Sequence, residues 1–179
     1  MAIAMHLWQI TEAGITPIPK SDLNLEKRLE QWILADPTVL DLDMLIVGDQ
    51  IRTDYGCYID ILGLNRDGDL VIVELKRQKT PREIVAQCLD YASWVCDLQY
   101  DDIVDLYKDG DLAQAYRETF DAPLPETLNS DHQIVIVAAS LDDSTERIIQ
   151  YLADKTDLNI NAVFFNIFSL EGKEKGVRL

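Results

Sequence analysis

Positive charge is what this sequence has least of. Its 179 residues carry 16 Lys and Arg against 32 Asp and Glu, a formal net charge of -16 at pH 7. Such a chain repels polyanions at long range, whereas nucleic-acid binders usually present a basic field, so any contact with nucleic acid has to be local. Histidine and cysteine are scarce too. His6 and His132 lie far from any cysteine pair, which excludes the ligand spacing of a structural zinc site. Cys57, Cys88 and Cys96 are odd in number and fall in predicted regular structure, which points to reduced thiols in a cytoplasmic setting. No apolar run is long enough to span a membrane. Met1 to Trp8 has neither a basic leader nor a small-residue cleavage site, so no secretory signal is expected. There is no Gly-rich phosphate loop with its lysine, and no Ser/His/Asp set can be assembled without Ser140 or Ser144 and a distant His132. The aspartates between 97 and 111 lack the spacing and terminal glutamate of a calcium loop and read as a solvated acidic face. Internal repeats and low-complexity tracts are absent. What is present, at 47% hydrophobic residues, is enough for one core, and the reading is a single domain over 1–179.

The most informative stretch is Cys57 to Lys76. Two apolar runs, Tyr58 to Leu64 and Leu70 to Leu75, flank Asn65-Arg66-Asp67-Gly68. A three-residue loop ending in a left-handed glycine is a favoured hairpin connection, and Gly68 suits that position because it has no Cβ. Pairing Asn65 with Asp69 and counting outward sets Asp60 opposite Glu74. Directly opposed residues share a face, with Cβ atoms about 4.5–5.5 Å apart. Lys76 follows Glu74 by two and points to the same side. Charges in such apolar strands are costly unless paired or bound to a metal. A structural salt bridge of Lys76 with Glu74 or Asp60 is one account. The other is a hard divalent cation held by the two carboxylates, with Lys76 facing a phosphate or the attacking water. Lys76, Arg77, Lys79 and Arg82 form a short basic run beside this point, read either as phosphate contacts or as solvated loop charges.

Elsewhere, residues 3–19 read as a short strand or extended arm. A helix capped by Ser21 or Asp22 follows, with Leu25, Leu29 and Ile33 at helical spacing and Glu26 and Glu30 on the border of that stripe. Asp36-Pro37 ends it. Leu40 to Leu45 is an apolar link, and Leu45 to Thr53 is the first strand of a three-stranded antiparallel meander. Pro81 opens the next helix, whose stripe Ile84, Gln87, Cys88, Tyr91 and Val95 places an amide, Gln87, on an apolar face. Its second strip, Val85, Leu89, Ala92 and Cys96, calls for a cover, either a later helix or a second copy of the chain. Helical spacing recurs between 97 and 120, and Pro123 to Asn129 is a loop. Gln133 to Ala139 is a strand buried on both faces, Ser144 to Asp154 an amphipathic helix, Ile160 to Ser169 a returning strand and Glu174 to Leu179 a last short one.

Asp60, an apolar strand, Glu74-Leu75-Lys76 and then a helix with Gln87 and Tyr91 one turn apart resemble the PD-(D/E)XK, or restriction-endonuclease-like, nuclease superfamily. The likeness runs from Thr53-Asp54-Tyr55-Gly56 through Tyr91, and Ile59 departs from it, standing where the superfamily name has proline. The resemblance implies an α/β fold with a restriction-endonuclease-like mixed central β-sheet flanked by helices. It implies metal-dependent hydrolysis of phosphodiester bonds in nucleic acid, DNA in preference to RNA, with Mg²⁺, or Mn²⁺ in its place, held by Asp60, Glu74 and the Leu75 carbonyl. Lys76 would orient or deprotonate the attacking water or stabilise developing charge, and Gln87 would assist. A first-helix glutamate often reaches such a site, and Glu26 is preferred to Glu30 by its position before Leu29. The acidic charge motivates the alternative, a catalytically inactive module with the nuclease fold that binds a nucleic acid or a more basic protein partner.

Overall fold

The computed structural model describes residues 6–12, 14–20, 25–76, 82–170 and 173–178. The stretch expected as a single arm is a hairpin: β1 (Leu7–Thr11) pairs antiparallel with β2 (Gly14–Ile18), from Leu7 with Ile18 to Thr11 with Gly14. Gly14, at φ +132°, adopts a backbone that residues with a Cβ avoid, and this lets so short a connection reverse the chain. The proposed caps Ser21 and Asp22 lie outside the described residues. Helix α1 (Leu25–Ala35) buries Leu29 and Ile33 and stops before Asp36-Pro37. The Asp36 side chain accepts from the Thr38 N–H and caps a 3-10 turn over Pro37–Leu40, which leads into the expected apolar link at Leu40.

Strands β3 (Met44–Arg52), β4 (Tyr58–Asn65) and β5 (Leu70–Lys76) form the expected meander. Pairs run from Leu64 with Leu70 to Ile61 with Val73, the register that the turn chemistry predicts. Gly68 sits at φ +85°, and the Asn65 side chain accepts from the backbone N–H groups of Asp67 and Asp69, which fixes the turn. Parallel pairing then adds β6 (His132–Ala138) to β5 and β7 (Asn159–Leu170) to β6, and β8 (Lys173–Arg178) closes the sheet antiparallel to β7. The order β3-β4-β5-β6-β7-β8 makes a six-stranded mixed sheet. This is the expected α/β fold with a mixed central sheet flanked by helices.

Two apolar layers hold the sheet. On one face Leu29 and Ile33 of α1 pack with Ile61, Val71, Val73, Val135 and Val137. On the other, α2 (Glu83–Val95), α3 (Tyr100–Leu106), α4 (Leu112–Phe120) and α5 (Asp143–Lys155) contribute Ile84, Cys88, Ile103, Tyr116 and Ile149 around Leu62 and Ile72. Burial on both faces explains why β5 and β6 read as continuous apolar runs. Pro81, Arg77 and Lys79 lie outside the described residues. In α2, Ile84, Val85, Cys88, Tyr91, Ala92, Trp94 and Val95 are buried, so Val85 and Ala92 of the second strip are covered within this chain, while Leu89 and Cys96 stay exposed. Trp94 donates its indole N–H to Asp54 and ties α2 to the β3–β4 connection. Among the described residues, no helix is long and apolar enough to cross a membrane.

Candidate active site

Strands β4 and β5 part where the two carboxylates stand. The ladder ends at Ile61 with Val73, one step short of Asp60 and Glu74. Instead of a main-chain partner, the Leu75 N–H donates to Asp60 Oδ2 at 2.8 Å. The carboxylate thus takes over the main-chain donor that the parting strands leave free, as a side chain must when backbone groups are shielded from water. In an extended residue N–H and C=O point to the same edge, so the Leu75 carbonyl faces the same gap.

Glu74 is 1% exposed, in a strand whose other residues are apolar apart from the terminal Lys76. Its Oε1 accepts from Lys76 Nζ at 2.6 Å and from Gln87 Nε2 at 3.0 Å. Its Oε2 is buried with no hydrogen-bond donor. Burial, and secondarily the charge on Asp60, push the Glu74 carboxyl up to about 7, against the lowering pull of Lys76. A buried, half-satisfied carboxylate beside a second one is unfavourable by itself and becomes favourable when a cation reaches it.

Gln87 uses both amide hydrogens, one on Glu74 and one on the Tyr91 hydroxyl. Tyr91 in turn donates to the Tyr58 carbonyl at 2.6 Å. Helix α2 is thereby latched to β4 and β5, and Glu74 is held in one orientation. Burial raises the Tyr91 hydroxyl to about 12, so it stays a donor throughout the neutral range. Burial also raises the neighbouring Cys88 thiol, and a hydrogen bond to Asp90 raises Cys57, so neither is an activated nucleophile. Tyr91→Phe removes the donor to Tyr58 and leaves one Gln87 hydrogen unpaired. We expect a loss of about 1–2 kcal/mol of stability, read as a lower midpoint in urea; an unchanged midpoint would show that the latch carries no load.

The Glu26 side chain lies outside the described residues. Among the described residues, Glu30, one turn later on α1, is a first-helix glutamate that connects to the hairpin. Gln50 Nε2 donates to Glu30 Oε1 at 3.0 Å and to Asp60 Oδ1 at 3.1 Å. Sequence reasoning passed over Gln50. Its signal was the third strand's register, since Asp49 pairs with Ile61 and Ile51 with Ile59, which puts Gln50 across from Asp60.

Asp60, Glu74, Leu75, Lys76 and Gln87 are therefore brought together. Among the described residues no three His, Cys, Asp or Glu side chains group closely enough to hold a metal by themselves. The donor set here is two carboxylates and a main-chain oxygen, which suits a hard cation that keeps several waters and takes the rest of its ligands from a substrate phosphate. The undonated Glu74 Oε2 is the feature that fits such an ion. Asp60 is half-buried and Gln50 exposed, so the gap opens to solvent on their side.

No family model matches the chain. A stretch of 92 residues is 28% identical to endonuclease NucS of Sulfolobus acidocaldarius, covering 51% of this chain and 36% of that protein. Among solved structures, an EndoMS–dsDNA complex superposes with a TM-score of 0.48 at 18% identity, over 76% of this chain and 43% of that one. A repair endonuclease from Pyrococcus abyssi gives 0.47 at 19% identity, over 76% and 46%. The chain spans between about a third and a half of the length of these proteins.

Proposed function

We propose that this chain is a nuclease domain that hydrolyses phosphodiester bonds in DNA, with Mg²⁺ or Mn²⁺ bound at Asp60, Glu74 and the Leu75 carbonyl. The observation that carries the reading is Glu74: a carboxylate almost fully buried in an apolar strand, with one oxygen lacking a donor and a second carboxylate beside it. The 28% identity to an endonuclease over half of the chain supports it, and DNA is the polymer that the sequence motif's resemblance implies. An inactive binding module would have no use for a half-satisfied charge inside its sheet, where an apolar residue of similar size serves stability as well or better.

The bound cation would supply Lewis-acid polarisation of a phosphoryl oxygen and a counter-charge for the carboxylates. This chain's residues do the rest. Asp60, fixed at both oxygens, and Glu74, fixed at one, present lone pairs into the gap. Lys76, whose side chain is 32% exposed, reaches from Glu74 toward the open side and is placed to stabilise negative charge on the phosphate or to orient the attacking water. Gln87 and Tyr91 hold Glu74 still. With a net charge of -16 there is no long-range attraction for DNA, and with few phosphates neutralised the salt dependence of binding should be shallow.

The test is cleavage of labelled single-stranded, duplex, flapped and mismatched DNA at low salt with Mg²⁺ or Mn²⁺. Wild type should give metal-dependent products and Asp60→Ala none. Products that persist in Asp60→Ala would refute the assignment. No products and no metal binding by wild type would favour the inactive module.

A further inference from the structure

Gln50 does something that a strand residue has no local reason to do. It lies within β3, between the ladder pairs Asp49 with Ile61 and Ile51 with Ile59, yet its φ is +47°. This is the left-handed region, which L residues other than Asn, Asp and Gly seldom adopt, and a non-glycine residue held there inside a strand indicates that something else compensates. The compensation visible here is its side chain. Both hydrogens of one amide nitrogen are used, on Glu30 Oε1 and on Asp60 Oδ1, two carboxylates brought from different elements. The other Asp60 oxygen already accepts from Leu75 N–H, so the Gln50 bond completes a clamp that fixes the plane of the Asp60 carboxylate. It parallels Gln87 on α2, whose amide nitrogen donates one hydrogen to Glu74 Oε1 and the other to the Tyr91 hydroxyl.

We propose that Gln50 is a positioning residue of the cation site: its left-handed backbone aims an amide that orients Asp60 and couples Glu30 to it, so Glu30 acts through Gln50 and not as an independent ligand. The proposal rests on the metal-dependent nuclease reading. Partners that orient metal-ligating side chains typically contribute about 10- to 100-fold in metal affinity or activity. They also leave a signature that a purely structural residue does not. Gln50→Gly deletes the amide and at the same time relieves the backbone, because glycine is at ease at positive φ. The cation site should weaken while the fold does not.

The experiment measures Mn²⁺ binding to the metal-free protein without DNA, by the electron-paramagnetic-resonance signal of free Mn²⁺, with thermal melting in EDTA alongside. Gln50→Gly should bind Mn²⁺ about tenfold more weakly with a melting temperature equal to or above wild type. Gln50→Asn, which tolerates the backbone but is one methylene too short to bridge, should show the same loss. Glu30→Ala should also weaken binding, and Gln50→Gly/Glu30→Ala should be no weaker than the worse single variant, as expected of groups acting in series. Wild-type affinity in Gln50→Gly, or single effects that multiply in the double variant, would overturn the proposal while Asp60→Ala still abolishes binding. Equal Mn²⁺ binding by wild type and Asp60→Ala would instead bring down the metal reading, and this inference with it.

Discussion

Glu74→Gln should abolish cleavage and make the metal-free protein more stable. The second half follows from the site's electrostatics. The Glu74 carboxyl is raised from its usual 4.5 to about 7, first by burial and then by the charge on Asp60. A carboxyl that holds its proton more tightly when folded adds nothing to the pH dependence of stability below the unfolded value, where both states are protonated. As pH rises from about 4.5 to about 7 the unfolded chain gives up the proton while the folded chain keeps it, so stability falls, and above about 7 the loss is complete. A shift of this size corresponds to about 3 kcal/mol. Wild type in EDTA should therefore be less stable at pH 8 than at pH 5. Glu74→Gln, isosteric and uncharged, should lack that part of the slope and gain about 3 kcal/mol at pH 8, a melting temperature roughly 6–12 °C higher in a chain of this size. A divalent cation should reverse the order. At a thousandfold excess over its dissociation constant it stabilises the form that binds it by about 4.1 kcal/mol, more than the deficit of about 3 kcal/mol, and this gain is open to wild type and closed to Glu74→Gln. Melting curves at the two pH values, with EDTA or Mn²⁺, check all of this. A Glu74→Gln protein that is less stable than wild type at pH 8 in EDTA would mean that the Lys76 and Gln87 bonds outweigh the burial, and that Glu74 is a structural anchor.

This tension inside an otherwise apolar strand is also what made the site legible in the sequence. Hairpin register follows from period 2 and one turn, and Gly68 with Asn65 fixes that turn by chemistry that acts over four residues. Asp60 could thus be placed against Glu74 by counting. Gln87 was legible for the parallel reason that an amide interrupts the apolar stripe of α2. The strand, helix and returning strand of β6, α5 and β7 were legible because continuous apolar runs bracket an amphipathic one. Gln50 was not. The register shift between Ile46 and Gly48 and the left-handed turn of the backbone at Gln50 both break the alternation that strand reading depends on. Neither leaves a mark in composition, since glutamine is an unusual occupant of that conformation. Glu30 and Glu26 are one turn apart on the same border of α1, and their separation rests on where β3 passes. That is a tertiary fact, which position in the chain cannot supply. The N-terminal hairpin went unread because the sequence between its strands lacks the Asn-Gly or Asp-Gly pair that announces a tight turn.

Lys76→Ala should have the second large effect, a fall of about 10²- to 10³-fold in kcat, the size expected when a preorganised donor to developing charge is removed. Loss of charge stabilisation is only part of the expectation. The Lys76 ammonium lies 2.6 Å from Glu74 Oε1, and its hydrogen bond and its charge are the two influences that hold the Glu74 carboxyl down. Without them burial and Asp60 act unopposed, and Glu74 titrates higher than about 7. At neutral pH more of the protein then carries a protonated Glu74, which cannot serve a cation. Half-maximal Mn²⁺ binding in Lys76→Ala should move to higher pH, while at a pH high enough to ionise Glu74 in both proteins the variant should bind Mn²⁺ at least as well as wild type, one positive charge having left the gap. Activity should not follow that recovery, because the missing ammonium is needed again when the phosphate takes on charge. A pH series of Mn²⁺ binding set beside a pH series of kcat separates the two roles. If both recover together at high pH, Lys76 serves only to tune Glu74 and takes no part in the chemistry. If neither shifts, the contact between Lys76 and Glu74 has no bearing on the site.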